Sequence, residues 1–461
     1  MSSLRPTFLR AAAVALLCGG CAVGPSYHSP VADVPQNWGA GAPAGAASTA
    51  LWWHGFNDPE LTSLAERALK GNLDVQIAES RLRQARAARR VAAGGFWPAI
   101  TASGSAQRGA TSGGASANTF QAGLDAIWEL DLFGGVRRSV ESAEASSEAA
   151  KAGLDDVRVS LVAEVAFDYV QARSFQEQIA IARENLSSQR HTADIVHQRL
   201  KVGFSSALDA ANADAQAATT AATLSPLDTA LRQAIHALSV LIGRPPDELL
   251  GELSQPGVLP PAPPAIPVGL PSDLVRRRPD IHAAEAQLHA ATAQVGVAVS
   301  DFFPKFPLTA AVGYQGSLMR TLFATGNRTW SVGPGVTWPI LQGGSTLANV
   351  RLQQALRDQS YLTYRKTVLV ALQEVEDSLV ALGNEQDHGK ALAEAVIQNR
   401  RAVDLAKHLY SEGQADFLSV LDAQRLLYTS QIALAQSRQA ESADAIALYK
   451  ALGGGWEDSR G

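Results

Sequence analysis

The chain has 461 residues and a formal net charge of -5, and only 18% of its residues are charged and 6% aromatic. Alanine, leucine, glutamine and serine dominate its long segments, which is typical of long helices more than of compact cores. No basic domain stands out, so binding to nucleic acid is not expected.

The N-terminus has the features of a secretory signal peptide, predicted over residues 1–20. Arg5 and Arg10 precede the apolar run 11–17, and small residues then lead to Cys21. Cys18 and Cys21 are the only cysteines of the sequence. The mature chain is therefore expected to have no disulfide, although it enters an oxidising compartment.

The residues Gly19, Gly20 and Cys21 resemble the lipobox of bacterial lipoproteins. In that motif the cysteine thiol is acylated, so the resemblance implies a covalent N-acyl diglyceride on Cys21 and a lipid-anchored segment over 21–57. Cys18 stands where leucine is usual, and a plain secreted protein cleaved nearby is the alternative. By the same resemblance Ala22, in place of aspartate, favours sorting to the outer membrane.

The sequence contains an internal duplication. Residues 73–79 and the later Pro98 return at a constant offset as 279–285 and Pro304. After each proline come two alternating runs, a pair of glycines and a long alanine-rich stretch, which suggests two like halves packed around a common axis. The predicted halves are 58–255 and 272–453, with a stiff Pro-rich linker over 256–271 and a C-terminal tail over 454–461.

Four runs of alternating apolar and polar residues predict β-strands at about 99–108, 119–131, 305–315 and 329–341. Each run has about the length of a tilted strand through a bilayer. Aromatic residues lie toward the ends of the runs, as in the belts at a membrane interface, namely Trp128, Tyr314, Trp330 and Trp338. A soluble antiparallel sheet with one face on a core is the alternative, but the polar, glycine-rich connections favour exposed hairpin loops.

After residue 20 no stretch approaches the roughly 18 uninterrupted apolar residues of a spanning helix, so any membrane crossing is expected to use strands. Four strands do not close a barrel, and open strand edges are costly in lipid. Since about eight strands make a filled barrel and sixteen a wide pore, three copies with about twelve strands form the smallest assembly expected to enclose water.

Long helices are predicted from residue 135 to about 202 and from 344 to 413, the second interrupted by Gly383 and Gly389. Some 65 residues of helix would span roughly 100 Å and require lateral partners. Return helices are predicted at about 207–242 and 417–452. A soluble coiled coil would show apolar a and d positions, whereas alanine dilutes the apolar stripes here and allows close helix approach.

Several motifs together resemble the outer membrane factor lipoproteins related to TolC and OprM. They are the segments 20–30, 52–61, 276–281, 302–304 and 420–425, and the resemblance covers nearly the whole mature chain. It implies a mainly α, TolC-like homotrimer with a twelve-stranded β-barrel in outer-membrane lipid and a helical tunnel through the periplasm. It also implies a passive channel for small molecules, served by a periplasmic adaptor protein and an inner-membrane efflux pump.

By this resemblance the two breaks between long helices are the periplasmic tips that meet the adaptor. The residues concerned are Val202, Gly203, Phe204, Glu412, Gly413 and Gln414. Glycine at such a turn accepts a positive φ and lets another backbone approach closely. A simple C-cap glycine is the alternative, and the two interpretations are compatible.

Asp422 and Arg425 are three residues apart on one helix face, and Leu418 lies one turn earlier. In related proteins this region constricts the tunnel, and threefold symmetry would make each residue a ring. Three close carboxylates would repel one another and attract cations, and pairing with arginine would hold the end shut. The alternative is an early-helix aspartate favoured by the macrodipole, with a solvated pair worth well under about 1 kcal/mol.

No enzymatic activity and no cofactor are expected. The chain has no P-loop, nucleophile elbow or dinucleotide-binding glycine motif, and its histidines lack the spacing of a helical metal site. Residues 276–278, three consecutive arginines, are predicted to form a solvated or ion-paired surface near a helix start. A periplasmic lipoprotein adaptor and a structural coiled coil remain as alternatives, but neither accounts for the duplicated, aromatic-ended runs.

Overall fold

The computed structural model describes residues 22–39, 50–110, 116–264 and 266–456. In chain order its elements are helices α1 (Pro59–Gly71) and α2 (Leu73–Ala93), strands β1 (Ala99–Gly109) and β2 (Ala117–Glu129), helices α3 (Gly135–Lys201), α4 (Ala207–Leu241), α5 (Leu250–Leu253), α6 (Pro271–Arg277) and α7 (Pro279–Ser300), strands β3 (Pro307–Gly316) and β4 (Arg328–Pro334), and helices α8 (Ser345–Ser411) and α9 (Phe417–Ala451). The predicted signal peptide and Cys21 lie outside the described residues.

The described residues form two compact units, and each unit contains parts of both sequence halves. The first, called here the sheet unit, consists of 22–31, 80–152 and 281–367. The second, called the hairpin unit, consists of the described residues of 32–79, 153–280 and 368–456. Strands therefore come from both halves to build one sheet, as the duplication predicts.

The sheet is antiparallel and has the strand order β1-β2-β3-β4. The register places Leu124 opposite Val312, and Val312 opposite Trp330, so these apolar side chains share one face. The other face carries polar residues such as Asp125, whose carboxylate accepts a hydrogen bond from the Ser103 hydroxyl at 2.8 Å. The alternation in sequence thus becomes a sheet with one apolar and one polar face.

Strand β4 is shorter than predicted, because the run expected to extend to residue 341 ends at Pro334. Proline has no N–H to donate to the ladder, and the next residue, Gly335, donates instead to the Pro307 carbonyl at 2.7 Å. Pairing resumes only as an isolated bridge between Lys305 and Thr337. Trp338 consequently lies beyond the regular strand. Strand β2 likewise ends at Glu129, two residues before the predicted boundary.

Helices α3 and α8 each run for 67 residues. Gly383 and Gly389 were expected to interrupt the second of these, and that expectation is wrong, since both lie inside α8. Each glycine costs a helix roughly 0.5–1 kcal/mol relative to alanine. Once a helix has nucleated, every further residue adds a hydrogen bond, so long flanking segments carry an isolated glycine. Within the described residues, no helix has the combined length and apolarity of a membrane-spanning segment.

Arg278 corrects the prediction that all three arginines of 276–278 lie on the surface. Its side chain is 9% exposed and donates to Asp280 at 2.8 Å, to Glu374 at 2.7 Å and to the Ala451 carbonyl at 2.8 Å. Arg276 is exposed and pairs with Asp273, as expected of a solvated pair. The buried arginine thus joins α6, α7, α8 and α9 within the hairpin unit.

Candidate functional site

The turn between α3 and α4 is built by a glycine and a capping box. Gly203 has a φ of +84°, and the following amide of Phe204 donates to the Arg199 carbonyl at 2.8 Å, which closes the end of α3. Ser206 caps helix α4: its hydroxyl accepts from the Asp209 amide at 3.1 Å, while the Asp209 carboxylate accepts from the Ser206 amide at 2.9 Å. The hydrogen bond from the Ser206 amide lowers the pKa of the Asp209 carboxyl.

The turn between α8 and α9 repeats this geometry. Gly413 has a φ of +75°, and the Gln414 amide donates to the Leu409 carbonyl at 2.8 Å. Asp416 caps α9 by accepting from the Ser419 amide at 3.0 Å and the Ser419 hydroxyl at 2.7 Å, and these bonds lower its pKa. The duplication has therefore preserved the turn as a unit, with glycine, closing bond and cap in the same order.

Both turns expose the residues that the sequence analysis assigns to adaptor docking. Val202 and Phe204 are 67% and 75% exposed despite being apolar, and Glu412, Gly413 and Gln414 are also exposed. A Cβ atom on either turn glycine would meet nothing within 4 Å. Positive φ, rather than crowding inside the protomer, is what selects glycine at both turns.

Below the turns, the α3–α4 and α8–α9 hairpins pack on an apolar cluster. Its buried members are Ala193, Val196, Ala210, Ala213, Phe417, Val420 and Leu421. Next to it, the Arg199 guanidinium lies 4.5 Å from the ring centroid of Tyr410 and donates to its carbonyl at 3.0 Å. This cation–π contact joins the last turn of α3 to the last turn of α8.

Farther along, a row of polar side chains joins α3 to α9. The side-chain amide of Asn185 donates to the Gln431 side-chain oxygen at 2.7 Å, and the side-chain amide of Gln424 donates to the Thr192 hydroxyl at 3.0 Å. Between these pairs Gln189 is buried, and among the described residues neither polar atom of its side chain has a hydrogen-bond partner. This row, called here the polar seam, is not predicted from the sequence. Its residues carry no signal in sequence because polar residues of surface helices look the same.

Leu418, Asp422 and Arg425, the predicted gate residues, lie on the exposed face of α9, away from the apolar cluster. Leu418 is 54% exposed. The Arg425 and Asp422 side chains approach to 3.9 Å, and both are more than half exposed. The pair therefore lies within one helix and does not join two elements of the protomer. Leu426, which the sequence analysis did not single out, is 59% exposed and lies four residues after Asp422.

The four predicted interface aromatics belong to the sheet unit. Trp128 donates its indole N–H to the Phe96 carbonyl and Trp338 donates to the Phe302 carbonyl, both at 3.0 Å. Phe96 and Phe302 occupy corresponding positions of the two halves, so the duplication reproduces the anchor at the helix end of the sheet. Tyr314 and Trp330 lie on the apolar face nearer the hairpin loops.

The first described residues after Cys21 belong to the sheet unit and pack against its other segments. The Val23 amide donates to the Phe133 carbonyl at 3.0 Å, and a Cβ on Gly134 would lie 2.7 Å from the Ala22 Cα. The Tyr27 ring stacks on His289 with centroids 4.2 Å apart. Burial is the main cause of the raised pKa of Tyr27, and the nearby Glu285 carboxylate raises it further. Among the described residues no cluster of metal ligands is found.

Long helical hairpins joined to a four-stranded sheet with one apolar face define a channel protomer of the TolC type. Solved structures agree. The outer-membrane channel OprN has 37% sequence identity and a TM-score of 0.90, with 95% of this chain and 100% of that chain covered. The open-state MtrE outer membrane channel of Neisseria gonorrhoeae has 28% identity and a TM-score of 0.84, with 95% and 99% covered.

The family model for outer membrane efflux proteins matches residues 64–244 and 270–454, and the chain belongs to this family. It is 33% identical over 450 residues to nodulation protein T of Rhizobium leguminosarum bv. trifolii, covering 96% of each chain. It is 33% identical over 475 residues to the toluene efflux pump outer membrane protein TtgC of Pseudomonas putida, covering 99% of this chain and 97% of the relative.

The predicted family, fold class and location are therefore confirmed. The protein is an outer-membrane channel component of an efflux system and extends into the periplasm, and the adaptor and coiled-coil alternatives are wrong. The relatives are channel proteins, and none of those named above is described as an enzyme. The individual docking, gate, lipidation and interface residues stay predictions.

Proposed function

We propose that three copies of this chain form a passive conduit that carries small molecules from a periplasmic adaptor and inner-membrane pump to the exterior. The proposal of a trimer rests on one observation. Within the described residues β1 pairs only with β2 and β4 pairs only with β3, so the sheet has two open edges beside an apolar face. Open edges are not tolerated in lipid, since each unpaired backbone group costs several kcal/mol there. Pairing of β1 with β4 of a neighbouring copy removes both edges.

The polar face of the sheet would then line the channel. Asp125 and Ser103 lie on it, whereas Leu124, Val312 and Trp330 would face lipid. The relatives include outer membrane proteins of a toluene efflux pump and of an antibiotic efflux pump, both of Pseudomonas putida. We propose a comparable small-molecule cargo here, with the choice of cargo made by the pump.

The assembly test is conductance of the purified, acylated protein in a planar bilayer. The expected result is a trimer in detergent that gives discrete channel openings. As a matched disruption, Val312→Asp places a charge on the apolar face, while Gln315→Asp places it on the polar face opposite the uncharged Gln121. The first should abolish insertion and the second should retain it. A stable, water-soluble monomer for the parent protein would refute the proposal.

The turn residues Val202, Gly203 and Phe204, with Glu412, Gly413 and Gln414, are proposed to dock the adaptor. Their exposure supports this role, as does the positive φ of both glycines. Apolar side chains that stay exposed at a turn are candidates for a protein contact. A cysteine placed at Phe204 should cross-link to the adaptor, whereas one placed at the exposed Arg400 should not. Cross-linking from position 400 alone would count against the proposal.

Leu418, Asp422 and Arg425 are proposed to form rings that narrow the periplasmic end of the trimer. The protomer's own Asp422–Arg425 pair is long and exposed, so the latch must consist of pairs between neighbouring copies. Asp422→Ala combined with Arg425→Ala should raise the conductance of the resting channel. A double variant as closed as the parent would show that the latch is absent.

Cys21 is proposed to carry the N-acyl diglyceride. Support comes from its neighbour Ala22, which contacts Gly134 beyond the helix end of β2, close in sequence to the interface residue Trp128. An anchor attached at this level would reach the membrane surface. Mass spectrometry of the mature protein should show the acyl mass, and Cys21→Ser should lose it without losing the channel.

A further inference from the structure

The apolar face of the sheet carries two arginines at its hairpin end, the end where the β1–β2 and β3–β4 loops lie. Arg108 is one residue before the end of β1, and Arg328 is the first residue of β4. The register places Arg328 opposite Tyr314, two residues from Trp330, and Arg108 two residues from Ala106 on the same face. Both side chains are exposed. A third exposed arginine, Arg320, lies in the β3–β4 connection.

No carboxylate accompanies these arginines. The sequence contains no aspartate or glutamate over 80–124 or over 302–357. The nearest acidic residues lie just outside these ranges, at Glu79 and Asp125 for the first and at Asp301 and Asp358 for the second. Asp125 lies on the opposite, polar face of the sheet, where it accepts from Ser103. A neighbouring copy would bring the same acid-free strands and loops. The strands and loops of this protein therefore supply no counter-charge for the arginines at the hairpin end.

The height of the arginines on the face limits what matches them. An arginine that faces lipid is costly at the bilayer midplane but carries little cost near the interface. Tyr314 and Trp330 mark an interface level, because such rings prefer the headgroup region. Tyr314 also packs edge-on against Phe323 of the loop, with centroids 5.4 Å apart. Arg108 and Arg328 thus lie beside lipid headgroups and not beside lipid tails.

From this arrangement we infer that Arg108 and Arg328 bind the phosphates of the outer-leaflet glycolipid. The inference rests on the proposed function, which places the hairpin end of the sheet at the outer surface. A guanidinium presents a planar set of donors that matches phosphate oxygens bidentately, and the outer leaflet of this membrane displays a phosphorylated, acylated glucosamine disaccharide. The apolar rows below the arginines, including Val332 and Leu124, would contact the acyl chains of the same lipid.

The test measures binding of bisphosphorylated lipid A to the purified full-length trimer in nonionic detergent, by native mass spectrometry or fluorescence anisotropy. Arg108→Gln combined with Arg328→Gln should weaken binding at least about tenfold. The control, Arg400→Gln combined with Arg401→Gln, removes the same charge from exposed positions of α8 and should bind as the parent does. The parent should bind lipid A stripped of both phosphates no more tightly than the double variant binds intact lipid A.

Three results would overturn the inference. The first is that the Arg108→Gln, Arg328→Gln double variant binds lipid A as tightly as the parent does. The second is that the parent binds phosphate-free lipid A as tightly as bisphosphorylated lipid A. The third is that inorganic phosphate fully displaces lipid A from the parent, which would indicate a simple anion site. The same preparations are tested for conductance. A parent that conducts but binds no lipid A refutes only the lipid site, whereas a parent that neither inserts nor conducts refutes the proposed function.

Discussion

Replacing Gly413 with tryptophan separates the folding role of the α8–α9 turn from its docking role. The φ of Gly413 is +75°, which costs an L-residue about 1–2 kcal/mol. A Cβ at this position meets nothing within 4 Å, so no clash inside the protomer adds to that cost. Against a typical domain stability of about 5–15 kcal/mol, the variant should fold and form trimers. An indole at an exposed turn would, however, keep a partner's backbone away, and export should be abolished.

The assay combines trimer detection in detergent with drug susceptibility of cells that depend on this channel. Gly413→Ala is the matched control, because it has the same backbone cost without the bulk and should export nearly as the parent does. Gly413→Asn should behave similarly, since asparagine tolerates positive φ. Unimpaired export by a trimeric Gly413→Trp protein would refute the docking role. An equal loss of export with alanine would attribute the effect to turn geometry instead.

Other predictions concern the stability of the periplasmic helices, measured by chemical denaturation. Arg278→Ala should cost about 1.5–3 kcal/mol, because it removes the buried guanidinium that donates to Asp280 and Glu374, whose own carboxylates are partly exposed; a loss below about 1 kcal/mol would contradict this. Burial, and then the Glu164 charge, raises the pKa of Asp168 from 3.8 to about 6. The folded state binds the proton of Asp168 more tightly than the unfolded state does. The resulting stabilisation is complete below about pH 3.8 and is lost as the pH rises through about 6. Asp168→Asn should therefore exceed the parent by about 1 kcal/mol at about pH 7.5, after allowance for solvent screening, and the gain should vanish near about pH 4. Gly153→Ala should add about 0.5–1 kcal/mol, since the site lies inside α3 and has open space; no gain would indicate close packing there in the trimer.

The sequence predicts the long helices and their turns well because their signals are local. Glycine with positive φ ends α3 and α8, and the caps Ser206 and Asp416 start α4 and α9, all within a few residues of one another. The strands were found for the same reason, since alternation is a property of neighbouring residues. The end of β4 was missed although Pro334 was visible, because the effect of a proline depends on which of its sides faces the neighbouring strand.

The errors and omissions elsewhere arise from contacts that are distant in sequence. Arg278 is buried by Glu374 and by the Ala451 carbonyl, which lie about a hundred or more residues away, so a run of arginines gave no sign of burial. The polar seam was missed for a related reason. Asn185 and Gln431 become partners only when α3 and α9 pack together, and no periodicity in either helix indicates which polar face will be covered.

The energetics of the two hairpins decide how a gate experiment is interpreted. A net hydrogen bond contributes about 0.5–1.5 kcal/mol, and a buried polar atom without a partner costs about 1–3 kcal/mol. Gln189 therefore offsets much of what the Asn185 and Gln424 bonds contribute. The apolar cluster around Phe417 and Val420 is left as the main stabilising contact below the turns.

Asp422 and Arg425 take no part in that cluster, since their exposed pair lies on the other face of α9 and is worth well under about 1 kcal/mol. Removing both side chains should leave the hairpins packed as before. A change in conductance in the double-alanine variant would thus report on contacts between neighbouring copies and not on loss of the fold. Leu418→Ala, made separately, tests the apolar ring without altering any charge.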